Sequence, residues 1–521
     1  MSSLVHHFFN VKGGVTERTA PSSSGGATET FANLHVAVVG CCHGELDKIY
    51  LACSDHEVSS GKKIDFVICA GDFQALRREE DLKCMAVPEK YRSLGDFVKY
   101  YQGEKRAPYL TLFVGGNHEC SDWLAEESYG GFLAPNIYYL GHSGVVVVDG
   151  CITVAGISGI FKAHDYVRPY PNRPFYVCEA SKRSAYHVRR IEVEKLKAFV
   201  RALRHMQQWG RKWGAQSVSP SATAANIANP AQKVSQDGGN DTTNSHITLP
   251  PVDIFVSHDW PTGVTKYGDE EQLLRYKPYF REDIRHGVLG NPHTVKLLQD
   301  IKPRYWIAAH LHCRFEATVP HENTSGKCTT AGTTSPVATQ QKTKFLALDK
   351  PAKGKGFIDF IDVPGERGAV GRKSDVDRVV HHPLWLRVLR ESHNYLSAND
   401  DSWSSETCNL LQSSEEEPIS TEVSIPAHST KQLLQSLGLP PSPIQQAQPQ
   451  STIAVVAGGG SGHHRPVTGS GHAKLDDKAG APDANCSSVA TRPADWNGAR
   501  TEDGVDAGND LPWVEDAVGD V

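Results

Sequence analysis

No stretch of this sequence approaches the roughly 18 consecutive apolar residues of a membrane span. Nor is the opening, MSSLVHHFFNVKGGVTERTAPSSSGG, apolar enough for a secretory signal, and residues 1–33 read as a flexible leader. A disulfide framework is missing too. The 12 cysteines are scattered over 521 residues without regular spacing, which points to reduced thiols of the cytosol or nucleus. Internal repeats are absent, as is any clear basic cluster of the kind that directs nuclear import. With 39% hydrophobic and 22% charged residues, the chain can still bury at least one large core.

Charge is unevenly spread. Residues 401–521 hold 17 Asp+Glu against 6 Lys+Arg, a net of -11, which leaves +5 on the first 400 residues. A mildly basic body of this kind allows a polyanionic substrate without demanding one. Between residues 34 and 350, nearly continuous Val/Ile-rich runs (LHVAVVG, IDFVICAGD, YLTLFVGGNH, GVVVVDG, ITVAGISG, DIFVSHD, RYWIAAHLH) alternate with helix-like stretches such as GELDKIYLACSDH and RRIEVEKLKAFVRALRHM. Strands buried on both faces read this way, and the alternation predicts an α/β fold. Residues 214–248 are Ser, Ala, Asn and Gly with few large apolar groups, and read as a disordered insertion. Residues 401–521 read as an acidic disordered tail, while PLWLRVLRESHNYL within 351–400 has a helical apolar face that packs back onto the body.

The strands end in groups that bind metals or move protons: Cys41-Cys42-His43, Gly71-Asp72, Gly116-Asn117-His118-Glu119, Ser257-His258-Asp259 and His310-Leu311-His312. Singly, each has a bland explanation. The cysteines could be small core residues, Gly-Asp a turn, and the histidines satisfied core side chains. Jointly they are harder to dismiss, because loops after the carboxyl ends of strands in open α/β sheets converge on one crevice. One carboxylate among imidazole and carbonyl ligands is what a pair of divalent ions about 3.5–4 Å apart requires.

These motifs resemble those of the calcineurin-like metallophosphoesterases: Asp-x-His, Gly-Asp, Gly-Asn-His-Asp/Glu, His and Gly-His-x-His. Two positions depart from that pattern, Cys41 replacing its first Asp and Ala309 its last Gly. The cysteine, with GCCHGELDKIY, CAGDFQALRREEDLKCMAVPEKYR, GISGIFKAHDY and DIFVSHDWP, is similar to one branch, the RNA lariat debranching enzymes. The resemblance covers about 34–350 and, more loosely, the WLRVLRESHNYL helix. It implies a metallophosphoesterase β-sandwich flanked by helices, with 34–350 as its catalytic domain. It also implies that Cys41, His43, Asp72 and His312 hold one divalent ion, while Asp72, Asn117, His258 and His310 hold the other, as Fe2+, Zn2+ or Mn2+. His118 matches a catalytic histidine outside the metal shell, placed to protonate a leaving oxygen. Cys42 has no such match.

The implied reaction is hydrolysis of the 2′-5′ phosphodiester bond at the branch point of excised intron lariats. The expected partner is branched RNA, with no DNA and no membrane, and the expected location, inferred from that substrate, is the nucleus, with the cytoplasm as the alternative. Residues 161–190 hold seven Lys+Arg against two acids, with six aromatics interleaved, the mixture that unpaired RNA requires. The resemblance makes this segment a lariat-recognition loop and matches Lys162, His164 and Tyr166 to substrate binding. The alternatives are another metal-dependent phosphoesterase activity on the same site, or an inactive RNA-binding scaffold.

Overall fold

The computed structural model describes residues 33–214, 252–322, 341–365, 378–395 and 429–441. The expected leader, nearly all of the insertion at 214–248 and most of the expected tail lie outside these residues. Thirteen strands form two mixed sheets among the described residues. They are β1 (Asn33–Val39), β2 (Phe66–Cys69), β3 (Thr111–Phe113), β4 (Gly131–Ala134), β5 (Ile137–Tyr139), β6 (Ser143–Val148) and β7 (Ile152–Ile157), followed by β8 (Ile254–Ser257), β9 (Tyr305–Ala308), β10 (Phe315–Pro320), β11 (Lys342–Ala347), β12 (Ile358–Pro364) and β13 (Val379–His381).

One sheet runs β12-β1-β2-β3-β5-β4 and the other β10-β11-β9-β8-β7-β6-β13. The neighbours β1, β2 and β3 are parallel, as are β7, β8, β9 and β11. All of them therefore deliver their carboxyl ends to one rim. The doubly buried strands have a direct cause. In β1, Val36 and Val38 face the layer between the sheets with Ile254, Val256 and Ile307, whereas Ala37 and Val39 face the outer layer. The structure is thus the helix-flanked sandwich the sequence implies.

Helices cover both outer faces. On the first sheet lies α1 (Leu46–Ser60), which buries Leu46, Ile49, Tyr50 and Cys53. On the second lie α2 (Arg190–Gly214), α5 (Pro292–Ile301) and α6 (Pro383–Ser392), while α3 (Glu270–Tyr276) and α4 (Phe280–His286) stand at its edge. Trp385 and Leu389 of α6 pack against Phe199 and Leu203 of α2, as the apolar face of PLWLRVLRESHNYL implies.

A correction concerns the boundary at 401. The folded body continues past it into α7 (Thr430–Ser436). Thr430 donates its N–H to Glu127 Oε2 at 2.7 Å, its hydroxyl accepts the Tyr129 N–H at 3.0 Å, and Leu433 and Leu434 are buried in the same cluster as Trp385. TKQLLQS is one short apolar pair within Ser-, Pro- and Gln-rich sequence, too brief to signal a helix until a core exists to receive it.

Candidate metal centre

The rim where the parallel strands end collects every expected ligand. β1 leads into Cys41 and His43, β2 into Asp72, β3 into Asn117 and His118, β8 into His258, and β9 into His310 and His312. The turns are tight. His43 (φ 47), Asp72 (φ 46), His310 (φ 68) and His312 (φ 47) all adopt the left-handed conformation, uncommon outside glycine and clustered where function demands it. Glycine is required at two approaches: a Cβ on Gly71 would sit 2.2 Å from His258 Nδ1, and one on Gly116 would sit 2.2 Å from Asp72 Oδ1.

Asp72 is the hub. His43 Nε2 lies 3.7 Å from its Oδ2 and His258 Nε2 lies 3.4 Å from its Oδ1, which also accepts the His118 N–H at 2.9 Å. On one side, Cys41, His43, Asp72 and His312 offer ligand atoms that all lie within 4.8 Å of one another, with the His43 and His312 Nε2 atoms 3.0 Å apart. On the other, His258 Nε2 is 3.1 Å from Asn117 Oδ1, and its ring centroid is 5.0 Å from that of His310.

These contacts make chemical sense around cations. His258 Nδ1 donates to the Ala70 carbonyl at 2.8 Å, which leaves Nε2 as the nitrogen whose lone pair a cation would meet. That lone pair meets two oxygen acceptors, Asn117 Oδ1 and Asp72 Oδ1. Donor atoms at 3.1 and 3.4 Å from that nitrogen are close enough for one cation to be held among them.

Electrostatics agree. Burial keeps the imidazoles neutral and ready to ligate, taking His43 down to about 4, His310 to about 3 and His312 to about 2. Burial opposes ionisation of Asp72, but the imidazoles of His258, His118 and His43 hold its carboxyl well below the usual carboxylate range. Burial, with the Asp72 charge beside it, raises the Cys41 thiol well above its ordinary value, and the His310 N–H donates to its sulfur at 3.2 Å.

Models of known families match this chain. The calcineurin-like phosphoesterase model matches residues 34–314, and the model of the lariat debranching enzyme C-terminal domain matches 340–437. The second match spans both α6 and α7, across the change of composition at 401. Lariat debranching enzyme A of Xenopus laevis is 40% identical over 370 residues, covering 71% of this chain and 57% of its own length. The human lariat debranching enzyme is 40% identical with 71% and 56% covered, and that of Arabidopsis thaliana is 36% identical over 383 residues with 74% of each covered. The chain belongs to the lariat debranching enzyme family. It spans little more than half the length of its frog and human relatives. As a calcineurin-like phosphoesterase it is a divalent-metal protein, and the Cys41 group is suited to such an ion.

In this debranching-family site the rim also has supports whose role the sequence alone does not announce. Glu119 is fully buried and accepts N–H bonds from Phe73 (2.8 Å), Gln74 (2.9 Å) and Gly116 (3.0 Å), clamping the Asp72 loop to the Asn117 loop. Burial, together with the Asp72 charge, pushes its carboxyl up to about 8. Trp260 donates its indole N–H to the Ala309 carbonyl at 2.8 Å, tying the His258 loop to the His310 loop. The motif Gly-Asn-His-Glu and the tryptophan after His-Asp are visible in the sequence. Their burial is not.

The flanking segment 161–190 is less open than its composition implies. Its base is fixed by the Phe161 N–H donating to Asp259 Oδ2 at 3.1 Å, next to His258. His164 is exposed and Lys162 half-buried, as RNA-facing residues would be. Tyr166 is buried and stacks flat on His293 at 3.7 Å, so its ring anchors the segment. Three of the seven bases are likewise used internally. Arg173 binds Asp122 and Glu126, Lys182 binds Glu179, and Arg189 is buried against the Ser184 and His187 carbonyls. His164, Asp165 and His187 form a second cluster with ligand geometry. Yet Asp165 is already bonded to His187 at 2.6 Å and feels the Arg189 charge, which opposes a further cation.

Proposed function

We propose that this protein hydrolyses the 2′-5′ phosphodiester bond at the branch point of intron lariat RNA, releasing a 2′-hydroxyl and a 5′-phosphate. The observation that carries the reading is the complete ligand set around Asp72, with Cys41 where the wider superfamily has an aspartate. Cys41, His43, Asp72 and His312 would hold one divalent ion, and Asp72, Asn117, His258 and His310 a second. A thiolate favours iron or zinc on the first side, while the second can accept manganese as well. Such ions supply Lewis-acid charge and make water acidic enough to attack phosphorus near neutral pH.

The chain's own residues do the rest. Asp72 spans the two ligand groups and fixes the angle between them. Glu119 and Trp260 hold the loops so that the crevice does not relax when a phosphate enters. His118, whose Nδ1 lies 3.4 Å from His43 Nδ1 and 4.0 Å from Asp72 Oδ2, remains outside both ligand sets and transfers a proton to the leaving oxygen. Lys162 and His164 face the substrate from the flanking segment. A nuclear location follows from this substrate.

The test is metal-loaded protein on a synthetic 2′-5′ branched RNA beside a linear 3′-5′ control of the same composition. Cleavage confined to the branch is expected. Equal cleavage of both, or of the linear RNA alone, would replace this reading with general phosphodiesterase activity.

A further inference from the structure

In the second sheet the order β11-β9-β8-β7 fixes what stands on each side of the ligands. His310 and His312 follow β9 and His258 follows β8, so segment 161–190, which leaves β7, occupies one flank. The turn that leaves β11 occupies the other. This turn, Lys-Pro-Ala-Lys-Gly-Lys-Gly at 350–356, carries three lysines and no acid. It lies against the metal centre, because the Phe357 carbonyl at its end accepts the Gly40 N–H at 2.9 Å, one residue before Cys41.

Beside it stand the exposed aromatics that end α3 and precede α4. Tyr276 is 56% and Tyr279 48% exposed, so both rings are open to a partner. Lys355 ties them to the turn, its Nζ donating to the Tyr276 hydroxyl at 2.7 Å and lying 5.3 Å from the ring centre. Lys277 Nζ sits 5.7 Å from the Tyr276 ring and 5.8 Å from the Tyr279 ring. Of the nearby acids, Asp269 caps α3 and Glu270 accepts from Thr265, while the buried Asp349 lies 3.7 Å from Lys355 Nζ and holds that lysine beside the Tyr276 ring, leaving Lys353 as the exposed cation of the turn. Lysines interleaved with exposed tyrosines, continuous with the reaction centre, have the chemistry that binds unpaired RNA: cations for phosphates and flat rings for bases.

We propose that Tyr276, Tyr279, Lys353 and Lys355 form a second RNA surface, holding an unpaired arm of the branched RNA on the flank opposite residues 161–190. The inference rests on the proposed function and extends it. At a branch nucleotide three strands meet, so one flank cannot guide them all, and two arms leaving the metals need two surfaces. Basic turn and tyrosines act as a unit through the Lys355–Tyr276 hydrogen bond.

The test uses the full metal-loaded chain with two double variants, Tyr276→Ala/Tyr279→Ala and Lys353→Ala/Lys355→Ala. Their steady-state kinetics are measured on branched RNA with long arms and on the same branch trimmed to one nucleotide per arm. Base–aromatic stacking is worth about 1–3 kcal/mol per base, so the tyrosine variant should raise KM for the long substrate by at least roughly 5-fold. The lysine variant should raise it too and lower the salt slope of binding by about 0.7 per lysine. The trimmed substrate should be cleaved as by wild type. Unchanged KM on long arms in both variants overturns the proposal, as does an equal loss on long and trimmed substrates, which would mark damage to the site. A lysine variant that weakens heparin and RNA alike, with a silent tyrosine variant, marks plain polyanion attraction and overturns it as well. If wild type cleaved no branched RNA, the functional reading would fall by itself. Titration with a fluorescent single-stranded oligonucleotide would then decide the surface, unaltered affinity in both variants ruling it out.

Discussion

The backbone N–H of His310 donates to the Cys41 sulfur at 3.2 Å, fastening the end of a strand in one sheet to the end of a strand in the other. Cys42, its neighbour, points into the outer layer with Val39 and Phe73. The two thiols therefore have separate fates. Cys41→Ser should lose roughly one equivalent of bound metal and most activity, whereas Cys42→Ala should keep both and lose only packing stability. Metal analysis and branched-RNA turnover of proteins purified without oxygen decide it, since a thiolate site can oxidise. A Cys41→Ser protein with full metal content would remove Cys41 from the ligand set.

Metal loading should release about one proton near pH 7. A ligating thiol must be deprotonated. Among the ligands, Asp72 is already ionised and His43, His310 and His312 are already neutral, their values lying at about 4, 3 and 2. The Cys41 thiol, raised by burial, still carries its proton. Affinity should accordingly rise with pH through the neutral range. Titrating zinc into apoprotein in weak buffer counts the protons, and Cys41→Asp should release close to none. Equal release from both proteins would contradict the assignment.

His118→Ala should lower kcat by roughly 10²–10⁴-fold, the usual range for removal of a general acid, while leaving metal content near normal. Asp72→Ala should instead weaken binding at both ligand groups, because each of them includes its carboxylate. If His118→Ala also shed a full equivalent of metal, His118 would be a ligand.

Ending the chain at residue 428 should lower the melting temperature, whereas ending it at 441 should not. The shorter truncation exposes the cavity that Leu433 and Leu434 fill, each worth about 1.5–3 kcal/mol of burial, and removes the Thr430 bonds to Glu127 and Tyr129. Thermal unfolding of the two proteins makes the comparison. An unchanged midpoint after truncation at 428 would show that α7 contributes no net stability.

On the flanking segment, Lys162→Ala, Arg168→Ala and Arg183→Ala combined should raise KM for branched RNA. The same variant should flatten the salt dependence by about 0.7 for each phosphate that no longer meets a cation. Tyr166→Ala should instead act on stability, by roughly 3–5 kcal/mol for a buried aromatic. Melting temperature and KM measured on the same proteins separate the two effects. A stable Tyr166→Ala protein with a raised KM would return that tyrosine to the RNA surface.

How much of the molecule is legible in its sequence depends on how local each signal is. Strand identity is legible, because β1, β2, β8 and β9 are doubly buried and their Val/Ile runs say so without help. Cys41, His43, Asp72, Asn117, His258, His310 and His312 are legible because each follows such a run directly, where parallel strands must deliver their ends. Composition could not say which side chains of 161–190 face outward. Arg173, Lys182, Arg189 and Tyr166 count as RNA-binding types, yet their partners are Asp122, Glu179, Ser184 and His293, fixed by how the segment packs. Glu119 and α7 are hidden for the same reason: a carboxylate clamping two loops and a short helix filling a groove have meaning only once the groove and loops exist. The neutral imidazoles and the protonated Cys41 thiol belong to this second class as well, since burial, which no local sequence encodes, sets their charge.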